Sequence, residues 1–112
     1  MDKIYTPPAL RQPINYDIKK DKGKRRTDLI PTSVFKSLAD VLTFGLTKCE
    51  ENSWQTVEVN RYHAALLRHL ISWIDDPLGK DEESGLFHSE HMLFNAMAIN
   101  HLTLDAAAKE QK

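Results

Sequence analysis

Apolar residues recur at intervals of three and four along three separate stretches of this chain, and no stretch alternates apolar with polar residues. A spacing of three and four places side chains on one face of an α-helix, whereas a half-buried strand requires alternation. We therefore predict helices over about 32–48, 60–74 and 84–106. Because the connections between them are short, the three helices should form an antiparallel all-α bundle, preceded by an extended N-terminal arm.

Polar residues at the helix starts indicate where each helix begins. Thr32 or Ser33 is predicted as the N-cap of the first helix and Asn60 as the N-cap of the second, because their side chains can accept from free backbone N–H groups. Trp54 lies in the loop between these helices and is expected to hold that loop against the bundle. The predicted core positions of the second helix are His63, Leu66, Leu67, Leu70 and Ile74.

The length of 112 residues limits the chain to one domain with a small core. We predict an arm over 1–20, a helical domain over 21–106 and a frayed tail over 107–112. The helices carry more apolar residues than three elements can bury. We therefore expect a homo-oligomer, either a dimer or a tetramer.

The overall charge and the apolar runs exclude several classes of protein. A formal charge of -1 argues against a dedicated nucleic-acid-binding protein, which would be clearly basic. No apolar run approaches the roughly 18 residues of a membrane span, and the first residues lack the apolar core of a signal peptide. Cys49 is the single cysteine, which fits a reducing cytoplasm.

A row of imidazole and amide side chains is predicted on the third helix. His88, His91 and Asn95 stand at i, i+3 and i+7 and therefore share one helical face, and His69 on the preceding helix can face them. Neutral imidazole is a common metal ligand, and Glu83 can add the oxygen that a hard ion prefers. The alternative is that these histidines are structural and only satisfy each other's hydrogen bonds.

Cations and one aromatic residue are candidates for binding a phosphorylated ligand. Arg61 and Arg68 lie on one face of the second helix, where two guanidinium groups can bind a polyphosphate. Lys24 and Arg26 form a second candidate phosphate clamp near the N-terminus. In each case the alternative is a solvated charged surface. Trp54 can stack on a base, although aromatic residues in small bundles are more often part of the core or an interface.

Four sequence blocks occur in order and at consistent spacing. They are Gly23-Lys24-x-Arg26 with Leu29-Ile30-Pro31, the segment Leu38 to Gly45 followed by Asn52-x-Trp54, Arg61-Tyr62 with the segment Ala65 to Leu70 and Trp73, and Glu83-Ser84-Gly85-Leu86-x-His88-x-x-His91-x-x-x-Asn95. Together they resemble the bacteriophage family of dATP/dGTP diphosphohydrolase N-terminal domains. That family is related to the MazG-like all-α nucleotide pyrophosphatases.

The resemblance implies hydrolysis of purine deoxynucleoside triphosphates to monophosphate and pyrophosphate in the cytoplasm of an infected bacterium. A divalent metal, Mg²⁺ or Mn²⁺, would assist the reaction. The implied catalytic residues are Glu83, His88 and His69, and the implied metal ligands are His88, His91 and Glu83. The implied substrate-binding residues are Lys24, Arg26, Trp54, Arg61, Arg68 and Asn95.

The chain departs from the family pattern at several acidic positions. Asp40 stands where glutamate is usual and His63 where an acidic residue is common, and the carboxylate set of the MazG-like enzymes has no clear copy. A second hypothesis is therefore a catalytically inactive, oligomeric nucleotide-binding protein, or a phage protein that inhibits a host protein, on the same scaffold. A third hypothesis is a helical interaction module whose histidines are structural.

Overall fold

A computed structural model describes residues 23–110 of the chain. It contains three α-helices, which we label α1 (Thr32–Gly45), α2 (Val59–Asp75) and α3 (His88–Glu110). Two short 3-10 helices, Thr27–Leu29 and Ser53–Thr56, lie in the connecting segments. No strand occurs in this part of the chain, which confirms the all-α prediction. The predicted arm over 1–20 lies outside the described residues.

The core forms where α3 crosses the other two helices. α3 packs chiefly against α2 and to a smaller extent against α1. The buried apolar side chains of residues 23–110 are Val41 on α1, Tyr62 on α2 and Ala98 on α3. Two polar side chains of α3, His91 and Asn95, are buried among them. The small core therefore includes part of the row predicted from the sequence.

Both predicted N-caps are wrong. Neither Thr32 nor Ser33 caps α1, because the helix begins at Thr32 itself with Pro31 as the flanking residue and no side-chain cap. Proline suits this position since its fixed φ matches the helix entry. α2 begins at Val59, so Asn60 lies inside the helix. The flanking residue is Glu58, whose backbone is extended and whose side chain forms no cap.

The other helix ends also differ from the predicted ones. α1 stops at Gly45 rather than near 48, and α3 begins at His88 rather than near 84. The later start of α3 follows from a turn at Gly85, whose φ of 74° is incompatible with continued right-handed helix. α3 continues to Glu110, so residues 107–110 of the predicted tail are helical. Residues 111–112 lie outside the described range.

The apolar face of α2 is only partly covered. His63 was predicted to be in the core but is exposed, and its neighbour Tyr62 is buried instead. Ile74 is 63% exposed, which also contradicts the predicted core stripe. The large apolar side chains exposed on α1 and α2 and just after each of them include Phe35, Leu46, Leu67, Ile71, Ile74 and Leu78. The homo-oligomer was predicted because the helices carry more apolar residues than three elements can bury, and these exposed side chains agree with that reasoning. The oligomer itself stays a prediction.

No helix within residues 23–110 is both long enough and apolar enough to span a lipid bilayer.

Candidate functional site

The connection between α2 and α3 holds one carboxylate in a fixed position. Oδ2 of Asp81 accepts hydrogen bonds from the backbone N–H groups of Glu83 at 3.2 Å and Ser84 at 2.9 Å. The backbone of Asp81 donates to the carbonyl of Leu86 at 2.7 Å and accepts from the N–H of Gly85 at 2.8 Å. Local hydrogen bonds of this kind are typical of aspartate in turns. The loop is therefore closed around Asp81.

Three imidazole rings lie close together beside this loop. Nδ1 of His69, on α2, lies 2.9 Å from Nδ1 of His88, the first residue of α3. The ring of His69 also stacks on the ring of His91, with a centroid distance of 4.6 Å and an interplanar angle of 9°. The structure thus brings His69 against two members of the row predicted on α3. We call these three residues the histidine cluster.

The histidine cluster and the loop together offer one set of metal-ligating atoms. Potential ligand atoms of His69, Asp81 and His88 all lie within 4.8 Å of one another, and all three side chains are half-buried. Two imidazoles and one carboxylate suit a first-row transition ion such as Mn²⁺ or Zn²⁺ better than Mg²⁺, which prefers oxygen ligands. We call these three residues the ligand set.

Two residues predicted as metal ligands are placed outside the ligand set. Glu83 is exposed, and its carboxylate pairs with the ammonium group of Lys48 instead. His91 is buried, with 9% of its surface exposed, and its Nε2 lies 2.6 Å from the hydroxyl oxygen of Ser84. The structure therefore favours Asp81 over Glu83 as the carboxylate ligand, and it ties His91 to Ser84.

Burial and neighbouring groups determine the charge states of the site. Burial lowers the pKa of His69 below its ordinary value of 6.5, and the nearby His91 and His88 lower it further. Burial also lowers the pKa of His91, although Asp81 opposes that shift. Burial alone would raise the pKa of Asp81, but hydrogen bonds from Ser84 and the adjacent histidines lower it overall. At neutral pH, His69 and His91 are therefore neutral and lie beside an ionised Asp81.

An apolar cavity of about 510 Å³ adjoins the histidine cluster. It lies between the C-terminal half of α1, the loop after α1, and the facing sides of α2 and α3. His69 and His91 form part of its wall, together with Trp54, Tyr62 and Phe94. Cavities of this size and character are typical of small-molecule sites. The aromatic wall and the histidine cluster can therefore contact the same ligand.

The loop that closes this cavity is held by aromatic contacts. The ring of Trp54 meets the ring of Phe94 edge to face at a centroid distance of 6.0 Å. The hydroxyl group of Tyr62 donates a hydrogen bond to the carbonyl of Trp54. Burial raises the pKa of the Tyr62 phenol, so this donor stays protonated. Trp54 thus holds the loop against α2 and α3, as the sequence predicted.

The predicted cations lie away from the cavity wall. Lys24, Arg61 and Arg68 are exposed, and none of them forms an ion pair within residues 23–110. The guanidinium group of Arg26 forms an ion pair with the carboxylate of Asp28, with 2.9 Å between nitrogen and oxygen. The cation that does line the cavity is Lys48, which the sequence interpretation did not single out.

Three residues of the site were thus missed from the sequence: Lys48, Asp81 and Ser84. The spacing Asp81-x-x-Ser84-Gly85 carried a signal, because an aspartate shortly before a glycine often organises a turn. Nothing in the local sequence around Lys48 marked it, since its position at the cavity depends on contacts between distant segments.

Comparison with known proteins confirms the resemblance. The family model described as "dATP/dGTP diphosphohydrolase, N-terminal" matches residues 15–112. A dATP/dGTP diphosphohydrolase of Salmonella phage PMBT28 is 32% identical over 82 residues, which cover 73% of this chain but 28% of the relative. The chain thus corresponds to a minor part of that relative's length. No solved structure matches. The chain belongs to the dATP/dGTP diphosphohydrolase N-terminal-domain family.

Proposed function

We propose that this chain hydrolyses purine deoxynucleoside triphosphates between the α- and β-phosphates. Water supplies the oxygen that replaces the bridging oxygen, so that the products are a deoxynucleoside monophosphate and pyrophosphate. The observation that carries the proposal is the ligand set lying next to an aromatic, apolar cavity. The family, and a relative named for dATP and dGTP, support the choice of substrate.

The ligand set fits a divalent ion by its chemistry. His69 and His88 would offer nitrogen ligands, and Asp81 would offer an ionised oxygen ligand. A divalent ion held there would supply positive charge against the phosphates of the substrate. Because two of the three donors are imidazoles, we expect Mn²⁺ to support activity better than Mg²⁺.

His91 and Ser84 are suited to proton transfer beside the ligand set. Nε2 of His91 shares a hydrogen bond with the hydroxyl group of Ser84, whose oxygen also accepts from the backbone N–H of Leu86, while the backbone N–H of Ser84 donates to Asp81. Since the pKa of His91 is lowered, the imidazole is neutral at pH 7 and can accept a proton. We assign the proton-accepting role to His91 rather than to Glu83, which Lys48 binds.

Two cations can face a polyphosphate from this arrangement. Lys48 lines the cavity, and its ammonium group already contacts a carboxylate on the loop that carries Asp81. Arg68 lies one residue before His69 and is close enough to influence its pKa. A phosphate oxygen can replace Glu83 as the partner of Lys48. Phosphate binding by Arg61, Lys24 or Arg26 has no comparable support.

A second candidate function is nucleotide binding without turnover. The observation that favours it is the single carboxylate in the ligand set, because hydrolysis of a polyphosphate generally needs strong charge neutralisation and an activated water. In that case the cavity would hold a nucleotide that is recovered intact.

The decisive experiment is a turnover screen of the purified chain. The eight common ribo- and deoxynucleoside triphosphates are each incubated with Mn²⁺ or Mg²⁺, and products are separated by anion-exchange chromatography. We expect pyrophosphate and monophosphate from dATP or dGTP. Absence of product from all eight substrates with both ions would exclude the proposal. A nucleotide that stays bound and intact in the same samples would support the second candidate.

Two matched histidine variants link any activity to this site. His88→Gln removes one member of the ligand set, whereas His63→Gln changes an exposed histidine on the surface of α2. We expect His88→Gln to lower kcat at least 100-fold and His63→Gln to leave it unchanged. Circular dichroism of both variants checks that their helices are kept. Equal activity of the two variants would remove His88 from the mechanism.

A further inference from the structure

The amide of Asn95 is the buried polar group of the cavity wall that the mechanism does not use. Asn95 retains 4% of its surface exposed, lies one helical turn after His91, and lines the cavity. Its Nδ2 donates a hydrogen bond of 2.7 Å to the backbone carbonyl of His91. This bond determines the orientation of the amide, because a carbonyl oxygen can bond only to the nitrogen end.

The oxygen end of the same amide is the end that stays available to a ligand. Oδ1 of Asn95 accepts no hydrogen bond from any described residue. Yet no fully buried side-chain nitrogen or oxygen of residues 23–110 lacks a partner. Oδ1 must therefore keep some accessible surface, and the wall of the cavity is where Asn95 has it. The cavity thus contains an acceptor whose orientation is fixed from within the helix.

The remaining wall around this acceptor suits a flat heteroaromatic ring. Trp54, Tyr62 and Phe94 supply aromatic surface, and the aliphatic wall comes from α1 and α2. A ring that enters this space loses its water, so a donor on its edge needs a protein partner. Oδ1 of Asn95 can meet that need by accepting from an amino group.

Resting on the proposed function, we propose that Asn95 selects the base by accepting a hydrogen bond from its amino group. An acceptor admits adenine, through its 6-amino group, and also guanine, through its ring N–H or 2-amino group. A base with no donor on that edge would leave Oδ1 unpaired. The acceptor thereby favours bases with a donor on that edge, adenine and guanine among them, without separating the two.

The length of α3 agrees with this placement. Asn95 stands seven residues after His88, which corresponds to about 10 Å along a helix. An extended nucleotide spans a comparable distance from the amino edge of its base to its phosphates. One ligand can therefore bring its base edge to Asn95 and its phosphates to the ligand set.

The test uses ligands that differ by a single group and cannot be hydrolysed. The α,β-methylene triphosphates of deoxyadenosine and of 6-methylpurine deoxyriboside have nearly the same shape, but the second lacks the donor. Their affinities for the full chain are measured by calorimetry with Mn²⁺ present. We expect the amino ligand to bind about 10- to 100-fold more tightly, the range for leaving one buried acceptor unpaired.

Two variants with the same substitution locate the effect. Asn95→Leu should bring the ratio of the two affinities close to one, whereas Asn100→Leu, at an exposed position of α3, should preserve it. Equal affinities in the unmodified chain would overturn the inference, as would a ratio that survives in Asn95→Leu. If Asn95→Leu fails to fold, equal affinities of the amino and methyl ligands for the unmodified chain would still overturn the inference.

The outcomes also separate this inference from the proposed function. Hydrolysis of dATP or dGTP without discrimination between the two analogues would overturn the role of Asn95 alone. Discrimination without hydrolysis would support Asn95 and overturn the proposed enzyme activity. Absence of any nucleotide affinity would overturn both.

Discussion

Two neighbouring carboxylates in one loop allow a sharp test of the ligand set. Asp81 belongs to the set, whereas Glu83, two residues later, pairs with Lys48 at the surface. Asp81→Asn and Glu83→Gln each remove one negative charge and keep the size of the side chain. We expect Asp81→Asn to abolish most of the metal affinity and Glu83→Gln to preserve it.

The magnitude follows from the role of each group. Loss of a residue that only orients a metal ligand typically lowers metal affinity 10- to 100-fold, so loss of the ligand Asp81 should lower it by more than about 100-fold. A metal present at 100 times its Kd stabilises the folded protein by about 2.7 kcal/mol. For a domain of this size, that stabilisation raises Tm by roughly 10 to 20 °C. After a 100-fold loss, the same concentration gives about 0.4 kcal/mol.

The assay is thermal unfolding followed by circular dichroism, with a chelator or with Mn²⁺ at fixed concentration. Asn at position 81 can still accept the backbone hydrogen bonds of the loop, so the metal-free Tm of Asp81→Asn should change little. Glu83→Gln breaks an exposed ion pair, which costs at most about 1 kcal/mol in the metal-free protein. A full metal-induced shift in Asp81→Asn, or its loss in Glu83→Gln, would refute the ligand set.

Three further predictions concern stability of the metal-free protein. Burial lowers the pKa of His91 below its ordinary value of 6.5, so as the pH falls the unfolded chain protonates this ring before the folded protein does. The stability that the neutral ring contributes is therefore complete above pH 6.5 and declines as the pH falls from 6.5 toward the lowered pKa. Urea unfolding between pH 8 and pH 5 should show this decline, and His91→Gln should reduce it. Tyr62→Phe leaves the carbonyl of Trp54 without its donor and should cost about 1 to 3 kcal/mol in urea unfolding. Ala98→Leu overpacks a fully buried position and should cost about 1 to 3 kcal/mol, whereas Ala96→Leu, at an exposed position, should stay within about 0.5 kcal/mol; equal effects would contradict the assigned burial.

Helical periodicity was sufficient to predict the class of fold and part of the site. The spacing of His88, His91 and Asn95 places them on one face of any helix, whatever surrounds it. Their burial confirms that this face turns inward for His91 and Asn95. The same periodicity misplaced His63 in the core, because an apolar stripe at three- and four-residue spacing leaves its rotation uncertain by one position.

Short-range chemistry within the chain thus determined three helices and the composition of the row on α3. Only the tertiary structure decided which groups meet that row. His69 reaches it because α2 packs against α3. Asp81 rather than Glu83 lies beside it, because backbone N–H groups of the loop hold the Asp81 carboxylate while Glu83 pairs with Lys48. Periodicity describes contacts along one helix, whereas a site assembled from two helices and a loop depends on how distant segments pack.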